Sequence, residues 1–228
     1  PRSTLFPYTT LFRSQTISAA QLPALFRAVG TVFQEKKDEL CALDARLGDG
    51  DLGLTMSKGF GALPELLEGL RGECGDDVGM LLMKGGMKMA SLVPSTMGFL
   101  MSSGVMEGGK ALRGAAALDA AGLAAFLTGF AAGVQKRGKC EAGQRTLYDA
   151  LLPAAEAAKK AAQLADAGLE SVITAALSAA AQGVEATKAM TPVFGKAAVH
   201  AAQAQSTPDQ GALAGYYLLL GLKTYICG

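Results

Sequence analysis

The apolar residues of this chain recur at helical spacing and almost never alternate, which restricts it to folds built from packed helices. Ile17, Leu22, Leu25, Phe26, Val29, Val32 and Phe33 fall near i, i+3, i+4, i+7 spacing, ahead of a charged turn expected at Glu35–Glu39. Met56, Phe60, Leu63, Leu66, Leu67 and Leu70 mark a second helix, closed by the loop Arg71–Gly75. A third begins near Asp77, and Gly85 and Gly86 are expected to bend it. Asp119 caps a segment reaching Gln135, and Thr146–Leu164 carries Leu147, Leu151, Leu152 and Ala155 on one face. Ser171–Lys188 forms another long helix, and Asp209 introduces the last, Ala212–Ile226. Val, Ile, Tyr and Thr nowhere alternate over four or more residues between turn markers, so strands are not expected. The many small residues let helices approach closely. The reading is a single all-α domain over residues 15–228, a closed barrel or bundle of about eight antiparallel helices.

Composition narrows the partners. Half the residues are apolar and 18% are charged, enough for a sizeable core and too few charges for disorder. The net charge is +1 with both signs interspersed, so nothing marks a nucleic-acid or anionic membrane surface. The apolar run Ala212–Leu222 is too short to span a bilayer, and Ala154–Ala189 is broken by charges such as Glu156, Lys159 and Asp166. Cys41, Cys74, Cys140 and Cys227 are spread without a C-x-x-C pair and with a single histidine, His200, which argues against zinc. Four reduced thiols packed among apolar neighbours fit a cytoplasmic protein. Residues 1–14, PRSTLFPYTTLFRS, lack helical periodicity and read like the in-frame translation of a sequencing adapter. They are set aside as a disordered artefact, with a genuine disordered leader as the alternative.

Residues 41–60 read CALDARLGDGDLGLTMSKGF. Asp44, Asp49 and Asp51 lie close in sequence among Gly48, Gly50 and Gly53, and like charges so near one another repel unless neutralised. A hard divalent cation such as Mg²⁺ would neutralise them, and it prefers carboxylate and phosphate oxygens. The glycines allow tight turns, and the helix expected from about Leu54 would offer free N–H groups to a phosphate. Read alone, the cluster is equally a solvated Asp/Gly turn capping that helix. Three look-alikes fail. Gly48-x-Gly50-x-x-Gly53 spells a dinucleotide fingerprint, but no strand precedes it and two aspartates would repel a bare pyrophosphate. A calcium loop starting at Asp49 would end at Phe60, where a bidentate Glu is needed. Gly104–Lys110 nearly spells a P-loop, but Ala111 stands where Ser or Thr must bind Mg²⁺.

LDARLGDGDLGLTMSKGF resembles the signature L-D-x-x-I-G-D-G-D-H-G-x-N-M-x-R-G-F of the nucleotide-binding, L-type subunit or domain of dihydroxyacetone kinases. RGKCEAGQRTLYDALLP, residues 137–153, resembles that family's R-G-x-A-x-x-G-D-K-T-M-x-D-x-x-x-P, and TPDQGA, residues 207–212, its closing H-x-D-P-G-A. The blocks occur in family order, and the similarity runs from about Ser18 to the C-terminus. The resemblance implies an eight-helix barrel that binds ADP or ATP with two Mg²⁺ ions. Asp44, Asp49 and Asp51 match the metal-binding aspartates, and Leu52, Gly53, Leu54 and Thr55 match the segment lining the phosphates. Ser95 and Thr96 lie near the G-G-A-S-G nucleotide loop, and Gly138 and Leu147 match adenine-pocket positions. Lys196 matches a phosphate-contacting Arg, and Asp209 and Gly211 match the final nucleotide loop. In such kinases a separate subunit or domain holds the ketose through its own histidine, so the implied partner is a ketose-binding subunit. A phosphotransferase-system phosphocarrier is a second implied partner if ADP is retained and rephosphorylated, and a homodimer is left open.

Departures from the family pattern fall at the site itself. Leu52 replaces the usual His, Thr55 an Asn, Gln144 an Asp and Gln210 a Pro. The family's R-A-S-Y-L-G-E-R-S has become KAAVHAAQA, residues 196–204. Two readings compete with the kinase subunit: a nucleotide-binding regulatory subunit without transfer, and a kinase domain serving another acceptor. Lys58 and Lys84 read as surface residues and His200 as a non-catalytic neutral His. Met80, Met83, Met87, Met89 and Met97 form an apolar stripe, read most simply as core.

Overall fold

The computed structural model describes residues 16–194, 198–199 and 206–228. The adapter-like tract 1–14, Lys196 and His200 lie outside the described residues. Nine α-helices are described: α1 (Leu22–Glu35), α2 (Lys37–Asp44), α3 (Leu52–Cys74), α4 (Val78–Leu92), α5 (Thr96–Lys110), α6 (Ala120–Gly138), α7 (Tyr148–Ala161), α8 (Leu169–Ala186) and α9 (Gln210–Cys227). The all-α reading holds, with differences that have local causes.

The apolar stripe of α1 is as expected: Leu22, Leu25, Phe26, Val29, Val32 and Phe33 are buried. Ile17, the first residue of that series, does not join the helix. It forms a two-residue strand, Ile17–Ser18, antiparallel to Ala117–Leu118, with Ile17 opposite Leu118. A long-range pairing of this kind leaves no local alternation to read. The charged stretch expected as a turn is instead helix α2, broken from α1 only at Lys36. Asp38 and Glu39 in its first turn favour a helix start by complementing the dipole. Gly85 and Gly86 fall inside the unbroken helix α4. A Cβ on Gly85 would lie 2.6 Å from a Leu67 methyl and one on Gly86 2.8 Å from Met106, so these glycines let neighbouring helices close in.

Eight helices form a closed ring. Each of α3 to α8 packs on the next, α9 packs on α8 and α1, and α1 packs on α3. The short α2 lies outside this cycle, against α3. Aromatic contacts fill the interior, with Phe33 stacked on Phe60 at 4.9 Å and Phe126 edge-on to both Phe26 and Phe130 at 6.4 and 5.9 Å. Where α5 meets α6, a Cβ on Gly129 would come within 2.6 Å of the Glu107 carbonyl, so small residues set the spacing of the ring. Among the described residues no helix is long and apolar enough to cross a membrane.

The starts of α3, α5 and α9 meet at one place on this ring, and that meeting point positions the site.

Candidate functional site

Asp44 ends α2 and is buried. Its Oδ2 accepts N–H bonds from Gly50 at 2.9 Å, Asp51 at 3.1 Å and Leu52 at 3.3 Å. The carboxylate therefore knits the glycine loop to the helix before it, charge-assisted by three amides. The loop can adopt this course because Gly50 sits at φ +76°, in the left-handed region, and because Gly48 has no Cβ. A Cβ on Gly48 would lie 2.2 Å from Asp44 Oδ1.

Asp51 occupies the N-cap position of α3, yet its side chain makes no capping bond. Asp49 and Asp51 are both exposed. The bland alternative, an aspartate capping the next helix, thus does not describe Asp51, which borders a cleft. That cleft has a volume of about 340 Å³, and Asp44, Asp49 and Asp51 all border it, as do Leu52 and Thr55 from the first turn of α3. Across from them stand Ser95, Thr96 and Met97 at the start of α5, Gln210 at the start of α9, and Phe194. Ser95 caps α5 by accepting the Gly98 N–H at 3.0 Å. Three helix N-termini therefore open onto one acidic cleft, and each carries partial positive charge and amides without helical acceptors.

The expected residues sort into two groups. Asp44, Asp49, Asp51, Leu52, Thr55, Ser95 and Thr96 share the cleft. Gly53 is buried against α2, where a Cβ would come within 2.0 Å of the Lys37 carbonyl, and Leu54 is exposed on the outer side of the turn. Leu147 and Gly211 meet behind Met97: a Cβ on Gly211 would lie 3.0 Å from the Met97 methyl and 3.2 Å from the Leu147 amide. Asp209 is buried beside them, capping α9 through the Ala212 N–H at 2.7 Å. Burial pushes its carboxyl up to about 7, against the Ala212 hydrogen bond and the nearby Arg145 charge. Gly138 ends α6 and does not border the cleft. The methionine stripe divides, with Met89 buried, Met87 exposed and Met97 in the cleft wall. Among the described residues, no three His, Cys, Asp or Glu side chains form a group able to hold a metal ion unaided.

The sequence of residues 46–224 matches the DAK2 domain family. The chain belongs to this family. Relatives include the ADP-binding subunit DhaL of PEP-dependent dihydroxyacetone kinase 2 of Listeria innocua, 34% identical over 128 residues, covering 56% of this chain. This match spans 59% of that protein's length. The ADP-binding subunit DhaL of the PEP-dependent dihydroxyacetone kinase of Escherichia coli is 26% identical over 204 residues, covering 90% of this chain and 95% of that subunit. Among solved structures, the dihydroxyacetone kinase of C. freundii in complex with AMP-PNP and Mg²⁺ superposes with a TM-score of 0.67 at 23% identity, covering 99% of this chain and 38% of that one. At that identity the likeness is one of fold.

Within this DAK2 domain, residues that the sequence reading did not single out build the rear of the site. Arg145 is buried and held at φ +58°. Asp149 accepts N–H bonds from Gly143 at 2.5 Å and Thr146 at 2.7 Å. Thr187 Oγ1 accepts the Asp209 N–H at 2.9 Å and donates to the Val184 carbonyl at 2.6 Å. The available signal was an Arg and an Asp four residues apart beside a glycine, inside the block 137–153. Farther out, Tyr217 donates to Glu39 at 2.7 Å, which holds the Glu39 carboxyl below its usual range and ties α9 to α2.

Proposed function

We propose that this chain is the Mg-nucleotide-binding subunit of a dihydroxyacetone-type kinase, which presents ADP or ATP to a short-chain ketose held by a separate partner subunit. The observation that carries the reading is the joining of exposed Asp49 and Asp51 with the starts of α3, α5 and α9 around one cleft. A bare anion would be repelled by the carboxylates, and a bare cation would lack a complete ligand set among the described residues. A phosphate chain carrying Mg²⁺ satisfies both halves, because Mg²⁺ takes one or two carboxylates and completes its shell with phosphate oxygens and water. Asp49 and Asp51, backed by Asp44, would hold the metal, which supplies charge neutralisation for the phosphates.

The chain's own contribution is positioning. Asp44 fixes the loop, and the partial positive charge at the starts of α3 and α5 favours phosphate oxygens in the cleft they border. Met97 and Phe194 give the cleft an apolar lining suited to the base, with Leu147 and Gly211 packed behind Met97. Leu52, at the family's His position, is buried in the core and gives the phosphates no hydrogen bond. The relatives named ADP-binding subunits of PEP-dependent kinases favour retained ADP that a phosphocarrier rephosphorylates over exchange as ATP. Cys41, Cys74 and Cys140 are free thiols, which accords with a cytoplasmic setting.

Mass spectrometry of ligand released from purified protein, with and without Mg²⁺, tests the reading. Bound ADP is expected, and no nucleotide binding at millimolar Mg-ATP would overturn it. The double variant Asp49→Ala/Asp51→Ala should abolish Mg-dependent binding while leaving helicity unchanged. Unaltered binding would remove the site assignment.

A further inference from the structure

The wall of the cleft opposite the acidic loop is assembled from separate stretches of chain, and one buried side chain joins them. Arg145 lies in the loop between α6 and α7, 3% exposed and in the left-handed backbone region at φ +58°. A non-glycine residue persists there only where its surroundings over-determine it. Those surroundings are polar. Arg145 Nη1 donates to the Met190 carbonyl at 3.3 Å, and Nη2 donates to the Thr207 carbonyl at 2.9 Å and to Thr207 Oγ1 at 3.3 Å. Met190 follows α8 and Thr207 precedes α9, so one planar guanidinium spans two chain segments that flank the same connection.

Each segment leads directly into the cleft. Beyond Met190 the chain reaches Phe194, and beyond Thr207 it reaches Gln210, both of which line the cavity facing Asp49 and Asp51. The loop that carries Arg145 also carries Leu147, whose amide meets Gly211. Asp149 shapes this loop by accepting the Gly143 and Thr146 amides. Buried charge is costly unless satisfied, and the guanidinium is met by the carbonyls of Met190 and Thr207 and lies near the Asp209 carboxyl.

We infer that Arg145 is a positioning residue of the nucleotide site: it clamps the Met190 and Thr207 segments to the Leu147 loop and thereby fixes the wall that carries Phe194 and Gln210. The inference rests on the nucleotide reading given above. Arg145 does not border the cleft itself, so its effect on affinity passes through the backbone it holds. An arginine suits the task better than the lysine found at this place in the family motif, because a fork reaches two carbonyls that a single ammonium cannot bridge equally.

The experiment compares Mg-ADP affinity and thermal stability in the wild type, Arg145→Met, Arg145→Lys and Phe33→Leu, the last a core variant that calibrates general destabilisation. Arg145→Met is expected to weaken Mg-ADP binding by more than about tenfold, and Arg145→Lys to recover it to within roughly threefold of wild type. Phe33→Leu should lower the melting temperature with no comparable loss of affinity. If the wild type fails to bind Mg-ADP, the nucleotide reading falls and this inference with it. If the wild type binds and both Arg145 variants match it, or if Phe33→Leu loses affinity in step with Arg145→Met, only the inference falls. Should Arg145→Met not fold, Arg145→Lys decides by hydrogen exchange: faster exchange at Met190 and Asp209 is expected, and unchanged exchange with unchanged affinity overturns the clamp.

Discussion

The loops 45–51 and 139–147 are organised by the same device and turned to opposite ends. In each, a buried aspartate from an adjoining helix gathers backbone amides around a positive-φ glycine. Asp44, at the end of α2, takes the amides of Gly50, Asp51 and Leu52, whereas Asp149, in the first turn of α7, takes those of Gly143 and Thr146. The first loop then exposes two carboxylates to the cleft, and the second hides a cation behind it. The glycine-and-aspartate pattern thus marks a loop held under control, and the charge beside the pattern decides whether the loop faces a ligand or supports the wall behind one.

The comparison breaks first at the knitting aspartates. Asp44→Ala and Asp149→Ala should each destabilise the fold by about 3 kcal/mol, since several amides lose a charged acceptor in a buried setting. Urea unfolding measures this. If Asp44→Ala left stability at the wild-type value, Asp44 would be a ligand alone, and the likeness between the loops would be empty.

Next come the glycines, which separate steric from conformational cost. Gly48→Ala brings a Cβ to 2.2 Å from Asp44 Oδ1 and should cost about 2 kcal/mol with some opening of the loop. Gly143→Ala meets nothing within 4 Å, so only its φ of +86° opposes it, a penalty of about 1 kcal/mol. Equal losses at the two positions would mean that Asp44 does not press on its loop.

Such devices were unevenly legible in the sequence. Helical periodicity placed the ring, and the caps Asp119 and Asp209 were readable because capping is local, with donors at 2.7 Å three residues on. The pairing of Ile17 with Leu118 was not, since register between distant segments has no local signature. At the site, glycine spacing and carboxylate density pointed to 44–51 and the family blocks to Ser95, Leu147 and Asp209. Arg145 escaped notice because its partners, the Met190 and Thr207 carbonyls, are backbone groups, which no residue type announces. Asp49 and Asp51 were visible as charges, but that Asp51 leaves its helix uncapped is a matter of side-chain direction.

Acidity should distinguish the buried region from the exposed one. Burial raises the Asp209 carboxyl from 3.8 to about 7, so the folded chain retains a proton that the unfolded chain has already released. Between those values stability falls as pH rises, and above about 7 the loss is complete. Asp209→Asn keeps an oxygen to cap Ala212 but cannot titrate. Its stability relative to wild type should therefore improve from pH 5 to pH 8, by roughly 1 kcal/mol or more. Parallel pH profiles for the two proteins would remove Asp209 as the source.

The smallest effect is the most discriminating for the acidic loop. Asp51 holds the N-cap position of α3 without making a capping bond, so Asp51→Ala removes no hydrogen bond from the helix start. It gives up a favourable interaction with the helix dipole and relieves repulsion within the aspartate cluster, two opposed terms of a few tenths of a kcal/mol each. The net change in stability should lie within about 0.5 kcal/mol, against about 1 kcal/mol for loss of a working cap. A loss of that larger size would show that Asp51 caps α3 in solution. The acidic loop would then resemble its counterpart in being turned inward, and the case for exposed carboxylates awaiting a metal-bound phosphate would lose its footing.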